Sequence, residues 1–339
     1  MKKLLTPVIL VLVSVVIALL LAEWMVRAFI PVRNVGPAFS IYDSTYGKRL
    51  RPSFSALRIT PEFTMRITTN SQGYRGPETG KLPMHPVLFL GDSFTMGYGV
   101  NDGEEFPELI RRALDHRFGK GAIPVVNAGI GNAGNGHWIK FLQHEAPRIQ
   151  PRLVVLQPLE NDFVDNFSDG LYQLSKDGQL IENPVPPPSL LRRVQSFVDS
   201  VPLLANSRLL GLVKQQVAYY QAHHEYDELV AHGQIDPQQD SSSNHLAERL
   251  TLALIERSIV LCEQQGWPVR VLLIDLAPAH EAAVRALLQQ HSVVAIALPD
   301  KKERPGLYYK TDGHWNADGQ RHAAGVILSA IEPLLKSTL

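Results

Sequence analysis

Three short apolar runs alternate with helical patterns, and this rhythm constrains the fold more than any other feature of the chain. The runs begin at Val87, Ile123 and Leu153, and helical patterns occupy 104–118 and 136–149. Strands that are apolar throughout are buried on both faces, which is typical of a parallel sheet covered by helices. The sequence therefore predicts an α/β fold with a mostly parallel sheet.

The same rhythm returns in the last third of the chain. We predict helices at 244–265, 279–291 and 316–335, and strands at 269–274 and 293–297. Residues 165–243 interrupt the rhythm with a proline-rich stretch, a helical pattern over 203–232 and a polar run. A structureless loop of that length is uncommon in a compact domain. We therefore expect a helical insertion that caps the functional site.

Charge and cysteine content exclude several classes of function. The chain has 33 basic and 33 acidic residues, so its net charge is zero and no nucleic-acid partner is expected. The only cysteine, Cys262, lies in an apolar helical pattern. Reactive thiols need polar, accessible surroundings, so we expect a buried structural thiol. Zinc-type and dinucleotide-binding spacings are missing, and we expect no metal or organic cofactor.

The N-terminus predicts a membrane anchor. Lys2 and Lys3 precede an apolar stretch from about Leu4 to Ala22, close to the ~20 residues that cross a bilayer. Leading lysines favour a cytoplasmic N-terminus, which places the rest of the chain on the other side. A signal peptide cleaved near Ala22 is the alternative, although the apolar run is long for one.

These patterns divide the chain into three parts. Residues 1–30 are predicted to be a single-pass signal anchor. Residues 31–83, rich in polar residues and glycine, are predicted to be an extension that packs on the main domain. Residues 84–339 are predicted to form that domain.

Polar segments follow the predicted strands, where functional groups collect in open parallel sheets. Ser93 follows the first strand across a Gly91-Asp92 turn, and its hydroxyl is either a nucleophile or a helix N-cap. The loop 127–134 follows the second strand with three glycines, whose backbone amides can approach a developing oxyanion. Asn161 follows the third strand and is either an oxyanion donor or a cap residue.

The segment from Asp312 to Asn316 precedes the last predicted helix. His314 can remove the proton of the Ser93 hydroxyl while Asp312 orients the imidazole ring. The alternative is an ordinary loop in which Asn316 caps the helix. A nucleophile, a base and a group that orients the base are the minimum for covalent acyl transfer.

In combination, the four segments resemble the four sequence blocks of the GDSL/SGNH hydrolase superfamily, over residues 84–165 and 245–335. The stretch 93–100, Ser-Phe-Thr-Met-Gly-Tyr-Gly-Val, is similar to the first block of membrane-anchored bacterial members. The resemblance implies a flavodoxin-like three-layer α/β/α fold and a location in the bacterial inner membrane, with the catalytic domain facing the periplasm or exterior. It also implies the following roles: catalytic Ser93, His314 and Asp312, a supporting Asp92, and an oxyanion hole from the Ser93 amide, Asn161 and one of Gly129, Gly131 or Asn132.

Two positions depart from the common pattern of that superfamily. The aspartate usually lies three residues before the histidine, whereas Asp312 lies two before His314. Either Asp312 reaches the imidazole from a tighter loop, or His314 uses a backbone carbonyl. In the second block, a glycine usually lies five residues after the asparagine, which is Asn127 here, but this chain has Asn132 at that position. The oxyanion donor is therefore the Asn132 amide or the amide of Gly129 or Gly131.

The sequence therefore predicts a serine esterase that hydrolyses an ester, such as an O-acyl group on an extracytoplasmic glycan or lipid, through an acyl-enzyme on Ser93. An O-acyltransferase that modifies a cell-surface polysaccharide is the first alternative, and it would require a membrane acyltransferase partner or another acyl donor. The second alternative is a non-catalytic binding or assembly protein that keeps the fold.

Overall fold

The structure is a computed structural model that describes residues 2–32, 35–79, 82–217, 220 and 244–336. In chain order the first elements are α1 (Lys2–Phe29), β1 (Ser40–Asp43), β2 (Gly47–Leu50), β3 (Ser55–Ile59), β4 (Thr64–Thr68), β5 (Val87–Gly91), α2 (Ser93–Met96), α3 (Phe106–Phe118), β6 (Val125–Asn127), α4 (Gly136–His144), α5 (Ala146–Ile149) and β7 (Leu153–Gln157). They are followed by α6 (Asp162–Asp169), β8 (Tyr172–Leu174), β9 (Leu180–Glu182), α7 (Leu190–Ser200), α8 (Pro202–Ala205), α9 (described over 208–217), α10 (Asn244–Gln265), β10 (Val269–Leu273), α11 (Pro278–Gln290), β11 (Val294–Ala297) and α12 (Ala317–Lys336).

Five parallel strands form the central sheet in the order β11-β10-β7-β5-β6. Counted along the chain within this sheet, the order is 2-1-3-4-5, which is the flavodoxin-like arrangement. In its register, Leu88 of β5 lies between Val154 of β7 and Val126 of β6. The prediction of a flavodoxin-like fold with a mostly parallel sheet is confirmed.

Alternate side chains of β5 enter two separate cores, one on each face of the sheet. Val87 and Phe89 pack with residues of α3 and α12, whereas Leu88 and Leu90 pack with residues of α4, α10 and α11. All four side chains are almost fully buried. Burying a side chain of this size stabilises the fold by about 1.5–3 kcal/mol, so these strands fix the three-layer arrangement. Cys262 is buried in the second core, as predicted, and burial raises the pKa of its thiol to about 12.

The predicted elements of the main domain are present, with one correction. The single helix predicted over 136–149 is two helices, α4 and α5, which meet at Glu145. Pro147 has no N–H to donate to the Gln143 carbonyl, and its ring cannot fit against a preceding helical turn. The chain therefore bends before α5 begins.

Two hairpins precede the central sheet, β1–β2 and β3–β4. The alternating residues of β4 point to opposite sides, and Met65 and Ile67 are buried in a small core with Met96. Residues 39–67 therefore contact the segment that directly follows β5, which brings the extension beside the residues singled out from the sequence.

The N-terminal helix extends away from the domain. Within it, Pro7–Phe29 is long and apolar enough to cross a membrane, with a mean hydropathy of 2.7 and none of its most apolar window buried. Near its C-terminal end, Val26 packs with Val32 and Val35 and against Leu209 and Leu212 of α9.

The insertion predicted over 165–243 is only partly described. Its described residues form most of α6, the hairpin β8–β9 and the helices α7, α8 and α9. The helical pattern predicted over 203–232 corresponds to α8 and α9 up to residue 217, and 221–243 lie outside the described residues.

Candidate active site

Ser93 lies at the carboxyl end of the central strand β5, on the first residue of the short helix α2. The N-cap of α2 is Asp92, whose Oδ1 accepts from the Phe94 amide at 2.9 Å, so Ser93 is not the cap. Gly91 is needed at the turn because an added Cβ would lie 2.3 Å from the Thr95 hydroxyl oxygen. The serine hydroxyl also lies 3.1 Å from Asp92 Oδ2.

His314 and Asp312 reach Ser93 from the loop before α12. The imidazole Nε2 lies 2.7 Å from Ser93 Oγ, and Nδ1 lies 2.5 Å from Asp312 Oδ1. The two-residue spacing therefore allows Asp312 to contact the ring directly, without a backbone carbonyl in its place. Asn316 is also a cap, since its Oδ1 accepts from the Asp318 and Gly319 amides at 3.0 Å.

Glu62, from the turn between β3 and β4, holds the loop that carries Asp312. Its Oε2 accepts from the amides of Thr311 and Asp312 at 3.0 and 2.7 Å and from the Thr311 hydroxyl at 2.6 Å. The hydrogen bond from the Thr311 hydroxyl is the largest influence that lowers the pKa of Glu62, followed by those backbone amides. Glu62 stays ionised and fixes the loop in the position that brings Asp312 to the ring.

Two aromatic rings hold the imidazole in place. The ring centroids of Phe94 and Tyr98 lie 5.1 and 4.8 Å from that of His314. Both residues lie within five positions of Ser93 in the chain, so Ser93 and the two rings that flank His314 belong to one segment. Packing of this kind restricts ring rotation, which favours a single imidazole orientation.

The loop after β6 passes close to Ser93. An added Cβ at Gly129 would lie 2.3 Å from the Met96 amide nitrogen, so only glycine fits against α2. The Gly129 amide donates to Asn127 Oδ1 at 3.1 Å and is therefore occupied. The Gly131 and Asn132 amides have no acceptor among the described residues. Asn132 has a left-handed backbone with φ of 54°, which asparagine tolerates better than most residues.

Lys48 of β2 fixes the orientation of this loop. Its Nζ donates to the carbonyl oxygens of Gly131 and Asn132 at 2.8 and 2.6 Å. The Gly131 carbonyl and the Asn132 N–H belong to one trans peptide and point in opposite directions. Lys48 therefore turns the Asn132 amide away from itself and leaves it available to another acceptor.

Asn161 lies at the N-cap position of α6, but its side chain makes no cap bond. Its Nδ2 donates to Asp165 Oδ2 at 2.6 Å, and its buried Oδ1 has no partner among the described residues. An amide NH₂ has two N–H donors, so the bond to Asp165 occupies one and fixes the direction of the other.

Three carboxyl groups lie behind the serine: Asp92 and Asp162 are buried, and Asp165 is half-buried. Burial raises the pKa of Asp92, and burial followed by the charge of Asp92 raises that of Asp162 well above its ordinary value. Burial, followed by the charge of Asp169, raises the pKa of Asp165 to about 6. Burying a carboxylate is costly, and a group of carboxyl side chains with raised pKa values is typical of a functional site.

Two clefts meet at Ser93. One, of about 360 Å³, is bounded by the extension and lined in part by Phe39, Arg58 and Tyr98. The other, of about 680 Å³, extends towards α6 and α11 and is lined in part by Phe163 and His280. The following residues line both: Ser93, Asn132, Asp312 and His314. A molecule on either side of the serine can therefore contact the same four residues.

The described part of the insertion from residue 165 to 217 lines neither cleft. Because 221–243 lie outside the described residues, the capping role stays a prediction. In the part of the chain that the structure describes, no group of three or more His, Cys, Asp or Glu side chains is placed to hold a metal ion.

Three contributors to the site were missed from the sequence. Glu62 and Lys48 are single charged residues in a polar segment, and Asp165 lies where the insertion was predicted to begin. Only Asp165 had an available signal, because a residue four positions after Asn161 on a helix lies on the same face.

No family model and no curated protein match the chain. Among solved structures, it is similar to TesA, with a TM-score of 0.44 and 14% identity, covering 74% of this chain and 99% of that one. It is also similar to the esterase EstA from Pseudoalteromonas sp., with a TM-score of 0.44, 12% identity and the same shares covered. A GDSL-like lipase from Bacteroides thetaiotaomicron gives a TM-score of 0.38 and 12% identity, covering 74% of this chain and 88% of that one.

Proposed function

We propose that the chain is a serine hydrolase of the GDSL/SGNH type, which cleaves carboxylic esters through an acyl-enzyme on Ser93. One observation carries the proposal: the continuous hydrogen-bonded relay from Ser93 Oγ to His314 Nε2 at 2.7 Å and from Nδ1 to Asp312 at 2.5 Å. A hydroxyl, an imidazole and a carboxylate in this order are the arrangement that activates a serine for acyl transfer.

The reaction follows from that relay in two steps. Ser93 Oγ attacks the ester carbonyl carbon while its proton moves to His314 Nε2, and the carbonyl electron pair moves to oxygen. The tetrahedral intermediate collapses, the alkoxide leaves with the proton from His314, and an acyl ester on Ser93 remains. Water, deprotonated by His314, then attacks this ester, and the second tetrahedral intermediate collapses to release the acid while Ser93 Oγ recovers its proton from His314. Asp312 stabilises the imidazolium in both steps.

The oxyanion hole of this proposal uses the Asn132 amide, the second N–H of Asn161 and the Ser93 amide. Lys48 directs the first of these, and Asp165 directs the second. Among the residues predicted for the second block, the Asn132 amide is favoured over that of Gly129, because the Gly129 amide donates to Asn127. Asn132 in place of the usual glycine is thus compatible with a complete oxyanion hole.

Replacing Asn161 by alanine is expected to lower kcat by on the order of 10²–10³-fold with little change in KM, because an oxyanion donor acts on the transition state. The measurement is steady-state turnover of p-nitrophenyl acetate. The matched control is Asn183→Ala, which removes an amide that donates to the Gly170 carbonyl in the insertion. A rise in KM at unchanged kcat would assign Asn161 to substrate binding instead.

Replacing Asp165 by asparagine is expected to raise stability and lower activity at neutral pH. The pKa of about 6 is raised above the ordinary value of 3.8, so the native state binds more protons than the unfolded chain between these values. The free energy of unfolding therefore falls as pH rises through that window, and removing the charge recovers about 1–3 kcal/mol above it. Loss of the strong acceptor for Asn161 is expected to lower kcat about tenfold.

Thermal unfolding and kcat, each measured at pH 4.5 and 7.5, test this expectation. The gain in stability is expected at the higher pH and should shrink at the lower one. The control is Asp318→Asn, a change of the same type on the surface of α12. A variant that is both less stable and less active at pH 7.5 would show that Asp165 is an ordinary structural carboxylate.

The proposed substrate is an ester with groups on both sides of the carbonyl, since two clefts meet at Ser93. An O-acyl group on an extracytoplasmic glycan or lipid fits this description. The proposed location is a bacterial inner membrane, with α1 as a single-pass anchor and the site on the periplasmic or exterior face. Supporting this location are the length and apolar character of Pro7–Phe29 and the lysines that precede it.

Labelling with a fluorophosphonate probe tests the proposal on the full chain in detergent. We expect one label per chain, on Ser93, and turnover of short-chain p-nitrophenyl esters. Turnover measured with and without an added glycan acceptor that carries free hydroxyl groups distinguishes hydrolysis from acyl transfer. A folded chain that neither reacts with the probe nor turns over esters would contradict the proposal and favour a binding or assembly protein.

A further inference from the structure

Exposed apolar side chains cluster in one segment of the chain outside α1. Leu190, Phe197 and Leu203 are 78%, 66% and 82% exposed, and Val194, between the first two, is 50% exposed. Outside α1, no other described part of the chain has three large apolar side chains this exposed. Single exposed apolar residues are normal, whereas a cluster of them marks a surface that contacts something apolar.

The helix α7 presents part of this cluster as a defined face. Leu190, Val194 and Phe197 are spaced by four and three residues, so they lie on one side of the helix. Asp199, on the opposite side, is buried and accepts from the Ala38 amide at 3.1 Å and from Lys214 Nζ at 2.6 Å. These contacts fix the polar side against the protein and turn the apolar side outward.

The segment that follows α7 and α8 is joined to the C-terminal part of α1. Glu23 accepts from the Ser207 hydroxyl at 2.7 Å and from the amides of Arg208 and Leu209 at 3.0 and 2.9 Å. Arg27 donates to the Asn206 carbonyl at 3.2 Å. Glu23 is the first charged residue after the apolar stretch of α1. When that stretch crosses a bilayer, Asn206 and its neighbours lie at the bilayer surface.

The charges around the cluster favour an anionic surface. Arg193 is exposed on α7 beside the apolar face, and Arg208 lies at the start of α9. The described acidic residue of α7, Asp199, faces the protein and is paired with Lys214. Trp24, next to Glu23 on α1, is exposed at the depth where tryptophan is enriched in membrane proteins. Arginine beside exposed leucine and phenylalanine is the composition of helices that lie in a membrane interface.

We propose that α7 and α8 lie on an anionic phospholipid bilayer, with Leu190, Val194, Phe197 and Leu203 inserted at the boundary of headgroups and acyl chains. The inference rests on the proposed anchoring of α1. It adds a second contact with the membrane, so that the domain is held at a fixed orientation. A bilayer is favoured over a second copy of the chain because the segment is hydrogen-bonded to the anchor helix itself.

Single spin labels on the full chain, reconstituted into vesicles of phosphatidylethanolamine and phosphatidylglycerol, test the proposal. Labels at Phe197→Cys and Leu203→Cys report on the surface. Cys262 is buried, so the native thiol need not be removed. The ratio of collisions with oxygen to collisions with a water-soluble nickel chelate measures depth. The controls are Leu12→Cys on α1 and Val294→Cys, an exposed position on the edge strand β11.

We expect the ratio at Phe197→Cys and Leu203→Cys to be severalfold higher than at Val294→Cys, with Leu12→Cys higher still. A ratio equal to that of Val294→Cys, with Leu12→Cys in lipid, would overturn this inference and leave the anchor intact. A water-exposed Leu12→Cys would instead refute the anchor. Vesicles of phosphatidylcholine alone are expected to lower the ratio at Phe197→Cys, and an unchanged ratio would contradict the role of the arginines.

Discussion

Replacing Ser93 by alanine is expected to lower ester turnover by on the order of 10⁴–10⁶-fold and to abolish fluorophosphonate labelling, while the fold stays intact. The change removes only the Oγ atom, which accepts no cap bond, because Asp92 caps α2. Loss of the nucleophile of a catalytic relay removes nearly all of its rate enhancement. Turnover of p-nitrophenyl acetate and the near-UV circular dichroism of the purified chain provide the measurement.

The matched control is Ser329→Ala, which removes a hydroxyl that donates to the Gly325 carbonyl on the exposed side of α12. The Ser93→Ala and Ser329→Ala variants should unfold at similar temperatures, and only Ser329→Ala should turn over ester. Turnover that survives in Ser93→Ala would place the nucleophile elsewhere and end the proposed mechanism.

Replacing His314 by glutamine is expected to lower turnover by a similar factor, on the order of 10⁴–10⁶-fold, because the general base of the relay is lost. Glutamine keeps a polar side chain at the position but cannot carry a proton between Ser93 and the leaving group. The combined variant Ser93→Ala with His314→Gln is expected to lose little more than either change alone, because the two groups act as one unit.

Steady-state turnover of p-nitrophenyl acetate by the wild type, His314→Gln, Ser93→Ala and the combined variant is the measurement. His291→Gln is the control, since that imidazole also has a carboxylate partner, Glu263 at 3.1 Å. Additive losses in the combined variant would show that Ser93 and His314 act independently, contrary to the 2.7 Å contact between them.

The parallel sheet and the helices that cover it were accessible from the sequence because they depend on local patterns, whereas the flavodoxin-like arrangement was predicted only from the family resemblance. The apolar runs at Val87 and Leu153 belong to strands buried on both faces, and such strands leave a signal that needs no tertiary information. The break between α4 and α5 was missed although Pro147 is visible in the sequence, because the apolar spacing continues across it. The prediction followed the apolar spacing and ignored the missing N–H of Pro147. In the structure, the proline decides where α4 ends.

The sequence identified residues of the candidate site only where they belong to a recognisable motif. Ser93, His314 and Asp312 were selected together, and the structure brings them into hydrogen-bonding contact. Their catalytic roles stay a proposal. Glu62 and Lys48 were not selected, because a single charged residue before a sheet carries no information about which loop it will reach. Their contacts depend on how the hairpins pack against α2, which is a tertiary property.

The hydrogen bond between Asn161 and Asp165 could not be predicted from the sequence either. Its amide was predicted to face the oxyanion, whereas one of its two donors binds Asp165. The pKa of Asp165 depends mainly on burial, and burial of a carboxylate near a helix start cannot be inferred from its position in the chain.

The distance along the chain between Ser93 and His314 has a consequence for biosynthesis. The two residues are 221 positions apart, and α12 is the one described element that follows His314. If His314 is the base of Ser93, as proposed, a ribosome-bound chain that has not yet emerged as far as residue 314 carries the serine without its activating partner. Under the proposed mechanism, activation of Ser93 therefore waits until the loop that carries Asp312 and His314 has folded beside β5.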